Sequence, residues 1–226
     1  MRRGDRPPHG PPGPVAARPQ RPDPPAGGGA GGRLNRTAAV VLAAGGGSRF
    51  AGDGHKLLAP FRGRPLVAWA VAAAAEAGLD EVVVVSGAVD LTGALPAGEV
   101  TLLDNPDWAD GQATSLGVAL DWCGRQGHGS AVVGLGDQPL VPASAWRAVA
   151  RAPGGPVVAA SYSGQRRNPV RLDQAVWGLL PVDGDEGARV LMRRRPELVH
   201  EVVCDGDPFD VDQVEDLSRL EPPGTV

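Results

Sequence analysis

The sequence predicts an α/β fold, a mostly parallel sheet sandwiched between helices in three layers. Three observations carry this prediction. Short runs of Val, Leu and Ala alternate with stretches of helical length, the order that builds strand–helix–strand units. Runs such as Val82 to Val85 are continuously apolar, as strands covered on both faces are. The first run, Ala38 to Leu42, empties into Gly45, Gly46 and Gly47, and open α/β sheets bind ligands at the carboxyl ends of their strands.

Ala38 to Leu42 reads as a buried strand bounded by turn residues. A helix is expected from Pro65 to Ala77, with proline in its first turn and Gly78 closing it. Val82 to Val85 and Val100 to Leu103 are the next strands, followed by a helix from Ala113 to Cys123 that Gly124 ends. Ala131 to Leu135 is a further buried strand running into Gly136-Asp137-Gln138-Pro139, and Ala143 to Ala150 is a helix. Pro156 to Tyr162 and Pro169 to Leu172 are expected to pair as a hairpin across residues 163–167. Helices follow at 173–180 and 186–195, then a strand from Leu198 to Cys204. Asp212, a good N-cap residue, opens a closing helix that ends at Leu220.

With 226 residues the chain holds one sizeable domain, expected over residues 37–222. Residues 1–36 differ in kind: nine prolines, seven arginines and a glycine-rich patch from Gly27 to Gly32, with few apolar residues. Such a segment buries too little surface to offset the entropy of ordering it, so a disordered tail is expected. It has no apolar central region, which argues against a secretory signal. The body carries 15 basic and 24 acidic side chains. An acidic body disfavours nucleic-acid binding, which depends on neutralising phosphates. No apolar run is long enough to span a bilayer. Cys123 and Cys204 stand far apart in no metal-binding spacing and are expected to be reduced, which fits a cytoplasmic protein.

The glycine loop is an anion site by composition. Glycines let the backbone turn sharply and approach a ligand closely, and successive N–H groups form a concavity suited to phosphate oxygens. Two cations follow, Arg49 and Lys56, and Lys56 is the only lysine against 21 arginines. Two common loop types fail on spacing. Lys56 is followed by Leu57 rather than Ser or Thr, unlike a P-loop. Gly45-x-Gly47-x-x-Phe50 lacks the third glycine of a dinucleotide fingerprint, and the second strand ends in Ser86-Gly87 without an acidic ribose partner. Asp137, at the end of an apolar strand, is the best metal ligand, with Asp212 the candidate second carboxylate and Asp210 beside it. Mg²⁺ prefers such oxygens. The four histidines show no ligand spacing.

Leu42-Ala43-Ala44-Gly45-x-x-x-Arg49, then Lys56 and Gly63-Arg64-Pro65-Leu66, resemble the signature of the MobA-like nucleotidyltransferases. The likeness extends through Asn105-Pro106-x-Trp108-x-x-Gly111, Ser115-Leu116, Gly136-Asp137-Gln138-Pro139, Gly184-Asp185-x-Gly187-Ala188-Arg189 and Asp210-Val211-Asp212. Within that superfamily the chain is most similar to molybdenum cofactor cytidylyltransferase. The resemblance implies a Rossmann-like sandwich of the nucleotide-diphospho-sugar transferase type. It implies transfer of CMP from CTP to molybdopterin with Mg²⁺ and release of pyrophosphate, and molybdoenzyme maturation proteins as possible partners. Arg49, Lys56 and Asp137 would be catalytic. Leu42, Ala43, Ala44, Gly45, Gly46, Gly47, Ser86, Asn105, Gly111 and Ser115 would bind the nucleotide, and Asp137 and Asp212 the metal. Gln138, Asn168, Asp185 and Arg189 would face the acceptor.

One stretch departs from that family. Gly164-Gln165-Arg166-Arg167-Asn168-Pro169 replaces the usual Gly-x-x-Gly-x-Pro on the acceptor side. Two alternatives therefore stand beside the cytidylyltransferase: transfer to another phosphorylated acceptor, or an NAD(P)H-dependent reductase of the nicotine blue oxidoreductase type on the same fold.

Overall fold

The strand that leads into the glycine loop is an inner strand of a seven-stranded sheet in the computed structural model, which describes residues 36–220 except 53 and 97–99. This strand, Thr37–Leu42 (β1), is followed by a two-stranded ribbon, Pro60–Phe61 (β2) and Arg64–Pro65 (β3), and by helix Leu66–Glu76 (α1). Glu81–Ser86 (β4), Thr101–Asp104 (β5), Gln112–Arg125 (α2), Ser130–Leu135 (β6) and Ala143–Arg151 (α3) continue the alternation. The last third holds Val157–Tyr162 (β7), Gln165–Asp173 (β8), Gln174–Trp177 (α4), Ala188–Arg194 (α5), Val199–Val203 (β9) and Val214–Leu220 (α6). Most of the tail and residues 221–222 of the expected domain lie outside the described residues.

The sheet order is β5-β4-β1-β6-β8-β7-β9, and β8 alone runs antiparallel to its neighbours. Alternate residues of each strand point to opposite faces, so β1 feeds two cores. Ala39 and Val41 pack with Val67 and Val71 of α1 and Trp146 of α3, whereas Ala38 and Val40 pack with Leu116 and Leu120 of α2. The layers are thus helix, sheet, helix, as expected. Gly134, inside β6, has a packing reason: a Cβ there would stand 2.5 Å from the Trp146 ring.

Several boundaries differ from the sequence expectation. The β7–β8 turn is only Ser163 and Gly164, both at positive φ, so Arg166 and Arg167 belong to β8 rather than to a loop. The register jumps from Ala159↔Val170 to Ala160↔Arg167, leaving Asn168 and Pro169 as a bulge. The helix expected at 173–180 stops at Trp177, and the one expected from 186 begins at Ala188 because Gly187 takes positive φ. Asp212 does not cap the last helix. Asp216 instead accepts from the backbone N–H groups of Asp212 and Gln213, at 3.0 and 2.8 Å. This leaves the Asp212 carboxylate for other partners.

Two buried polar clusters hold strand ends that apolar packing alone would leave loose. Arg171 of β8 donates to the carbonyl of Ala150 in the last turn of α3, to those of Ala152 and Gly155 beyond it, and to Asp173. Glu81 accepts from Thr101, Trp122 and His128, joining β4 to β5 and α2.

Candidate active site

The carboxyl ends of β1 and β6 open into a cleft of about 440 Å³. Its walls are the glycine loop from Leu42 to Arg49, Lys56, Trp108, Gly111, Gln112, Ser115, Asp137, Asp185 and Asp212. The loop amides are unspent: the N–H groups of Gly45 to Arg49 have no protein acceptor among the described residues. Gly46 and Gly87 admit the Trp108 side chain, since a Cβ would lie 2.9 Å from it at Gly46 and 2.7 Å at Gly87.

Lys56 reaches the floor of this cleft. It is 9 % exposed, and its Nζ donates to Asp137 Oδ2 at 2.6 Å, to the Val211 carbonyl at 3.2 Å and to Asp212 Oδ1 at 3.4 Å. Residues far apart in sequence meet here through one backbone bond, Val211 N–H to the Asp137 carbonyl at 3.0 Å. That bond lays the segment Asp210-Val211-Asp212 beside the end of β6. Arg49, exposed on the loop, pairs with Asp212 at 3.0 Å. Two acids and two cations therefore alternate across the cleft, and Lys56 offsets the repulsion between Asp137 and Asp212.

The donor set suits a hard divalent cation. Asp137 Oδ1 is buried and has no hydrogen-bond partner, and Asp212 lies across Lys56 from it. Among the described residues no group of three or more His, Cys, Asp or Glu side chains forms a closed metal cage. Two carboxylates completed by substrate phosphates and waters are the arrangement Mg²⁺ favours.

Other expected residues take different places. Ser86 is buried, with its hydroxyl donating to the Leu103 carbonyl at 3.2 Å, and it does not line the cleft. Asn105 is 1 % exposed and spends its amide on Thr114, Ser115 and the Asp107 N–H. It ties the loop before Gly111 to the first turn of α2, which carries Ser115, instead of lining the cleft. Gly111, at φ 109°, lies against Gly184, where a Cβ would meet backbone at 2.4 Å. The contact brings Asp185 to the cleft that the glycine loop lines. Gln138 is buried, its amide nitrogen donating to the Pro208 carbonyl and to Asp210 Oδ1.

Asn168 and Arg189 line a second cavity of about 720 Å³, with Arg166, Arg167, Arg193 and Asp210. Burial pushes the Asp210 carboxyl above its usual range and the Asp137 charge adds to this, against the opposing Gln138 bond and Arg189. In the sequence, Arg166 and Arg167 stand out only as a departure from the family pattern. Strand β8 and helix α5 bring them and Arg193 to one wall.

The model of the MobA-like NTP transferase domain matches residues 39–200. The chain belongs to this family. It is a nucleotidyltransferase of the MobA-like type, and its sheet has the arrangement of the nucleotide-diphospho-sugar transferases. A curated relative, nicotine blue oxidoreductase from Paenarthrobacter nicotinovorans, is 34 % identical over 198 residues, covering 80 % of this chain and 94 % of that protein. Among solved structures, Rv0371c from Mycobacterium tuberculosis superposes with a TM-score of 0.71 at 27 % identity, covering 83 % of this chain and 98 % of that one. Rv0371c has also been solved in complex with manganese. A nucleotidyl transferase from Methanothermobacter gives a TM-score of 0.70 at 26 % identity, covering 82 % of this chain and 96 % of that one. The MobA-like match includes residues 39–42 of β1, Lys56 and Asp137, and it ends before Asp212.

Proposed function

We propose that this protein is a Mg²⁺-dependent cytidylyltransferase that transfers CMP from CTP to molybdopterin and releases pyrophosphate. The observation that carries the reading is Lys56, held 2.6 Å from Asp137 at the foot of a loop with free amides. Nucleotidyl transfer gathers negative charge on phosphoryl oxygens, and fixed cations and dipoles that meet that charge lower the barrier. The loop N–H groups and Arg49 would hold the β- and γ-phosphates and the leaving pyrophosphate. Lys56 would meet the α-phosphate as its charge builds. Asp137 and Asp212 would hold Mg²⁺, which supplies charge neutralisation at the phosphates when bound. Gly111 and Ser115 would contact base and ribose.

The acceptor would enter through the second cavity. Four arginines around it favour an oxyanion, since a guanidinium binds phosphate through two parallel N–H···O bonds. A phosphorylated acceptor is supported by this charge, and molybdopterin is the member of that class the sequence resemblance favours. The cytoplasm, where nucleoside triphosphates and reduced thiols coexist, would be its compartment. Both cysteines are free.

A second reading rests on the 34 % identical oxidoreductase: reduction of an organic substrate by NAD(P)H. Calorimetric titration of each nucleoside triphosphate and each nicotinamide cofactor with Mg²⁺ separates the two. Binding of CTP ahead of the other triphosphates supports the cytidylyltransferase. Binding of NADH or NADPH with no triphosphate bound supports the reductase.

A further inference from the structure

His55 stands at the edge of the glycine loop with both ring nitrogens committed, and the chemistry proposed above does not use it. Its Nδ1 accepts from the Leu57 backbone N–H at 3.3 Å, and its Nε2 lies 2.9 Å from the Gly45 carbonyl oxygen. A carbonyl oxygen only accepts, so Nε2 carries the proton and the ring is neutral. Burial lowers the imidazole pKa most; the Gly45 contact opposes this and the Lys56 charge adds to it.

The two bonds reach different parts of the site. The Leu57 bond closes the turn Lys56–Leu58, which carries the catalytic lysine. The Gly45 bond fixes one peptide of the phosphate loop. That peptide is planar and trans, so its carbonyl and the following N–H point in opposite directions. Holding the Gly45 carbonyl against the ring therefore turns the Gly46 N–H away from it, and the Gly46 N–H is one of the amides with no protein acceptor among the described residues. Gly47, at φ 61°, packs on the same structure, its ideal Cβ position 3.5 Å from His55 Nε2 and 3.1 Å from Lys56 Cγ.

We propose that His55 is a positioning residue, its Nε2–H bond to the Gly45 carbonyl holding the glycine-loop amides in the orientation in which they meet a triphosphate. The proposal rests on the reading of the cleft as a triphosphate site.

Two conservative variants separate the bonds. Asparagine places its oxygen near the position of Nδ1, and glutamine places its amide nitrogen near that of Nε2. His55→Asn thus keeps the turn and loses the tether, and His55→Gln does the reverse. CTP with Mg²⁺ is titrated calorimetrically into wild type and both variants, with thermal midpoints measured alongside. Loss of one orienting hydrogen bond predicts a Kd about tenfold weaker for H55N and within about twofold of wild type for H55Q. Unchanged binding by H55N, or equal weakening of both variants, overturns the role. If H55N does not fold, H55Q carries the test: near-wild-type binding supports the tether and a tenfold loss overturns it. Wild type that binds no nucleoside triphosphate overturns the parent reading instead.

Discussion

At the scale of single residues, the site is a charge arrangement that substitutions can take apart. Lys56→Ala removes the cation between Asp137 and Asp212 and should lower kcat by about 10²–10³, the range for one electrostatic donor at a reacting centre. A steady-state assay of pyrophosphate release measures it, and turnover within a few-fold of wild type would rule out the lysine's role. Lys56 and Asp137 were legible in the sequence, one as the only lysine and the other as an acid ending an apolar strand. The partnership of Arg49 with Asp212 was not, because it spans 163 residues and no local spacing encodes it. Asp212 looked like a helix cap, and Asp216 performs that task. Ser86 and Asn105 sat in suggestive positions, but their polar atoms are consumed by the protein itself.

At the scale of elements, strands betray themselves by continuous apolar runs, and the sheet was readable for that reason through β6. Beyond it, the β7–β8 hairpin was expected with a five-residue loop, since Gln165-Arg166-Arg167 carries no apolar pattern. Those residues pair with Tyr162, Ser161 and Ala160 regardless, because the backbone groups of β7 need partners. Packing across elements is equally invisible locally. Gly134→Ala would drive a methyl group into Trp146 and should cost about 1–3 kcal/mol by overpacking, seen as a lower urea midpoint with an unchanged m-value. The Glu81 cluster makes a pH prediction. Burial raises the Glu81 pKa, but the bonds from His128, Trp122 and Thr101 outweigh it and hold the carboxyl below its usual value. A depressed folded pKa contributes stability above the unfolded value that is lost as pH falls through the folded one. Glu81→Gln should therefore flatten the acid limb of a thermal-melt series below about pH 4.5.

At the scale of the whole molecule, the mostly parallel sheet carries two cavities, one walled by free amides and one by arginines. No helix among the described residues is long and apolar enough to cross a membrane. Burial pushes the Cys123 thiol up to about 12, with the Glu81 charge adding to the effect, so this side chain acts as a core residue. The proposed division of labour between the cavities is a statement about which bond forms. The direct measurement is ³¹P NMR of the protein with CTP, Mg²⁺ and molybdopterin. The account predicts pyrophosphate appearing in equal amount to a new diphosphate linkage that carries the CMP group, and neither with Asp137→Asn. Consumption of NAD(P)H in a parallel sample, with the CTP resonances unchanged, would contradict it.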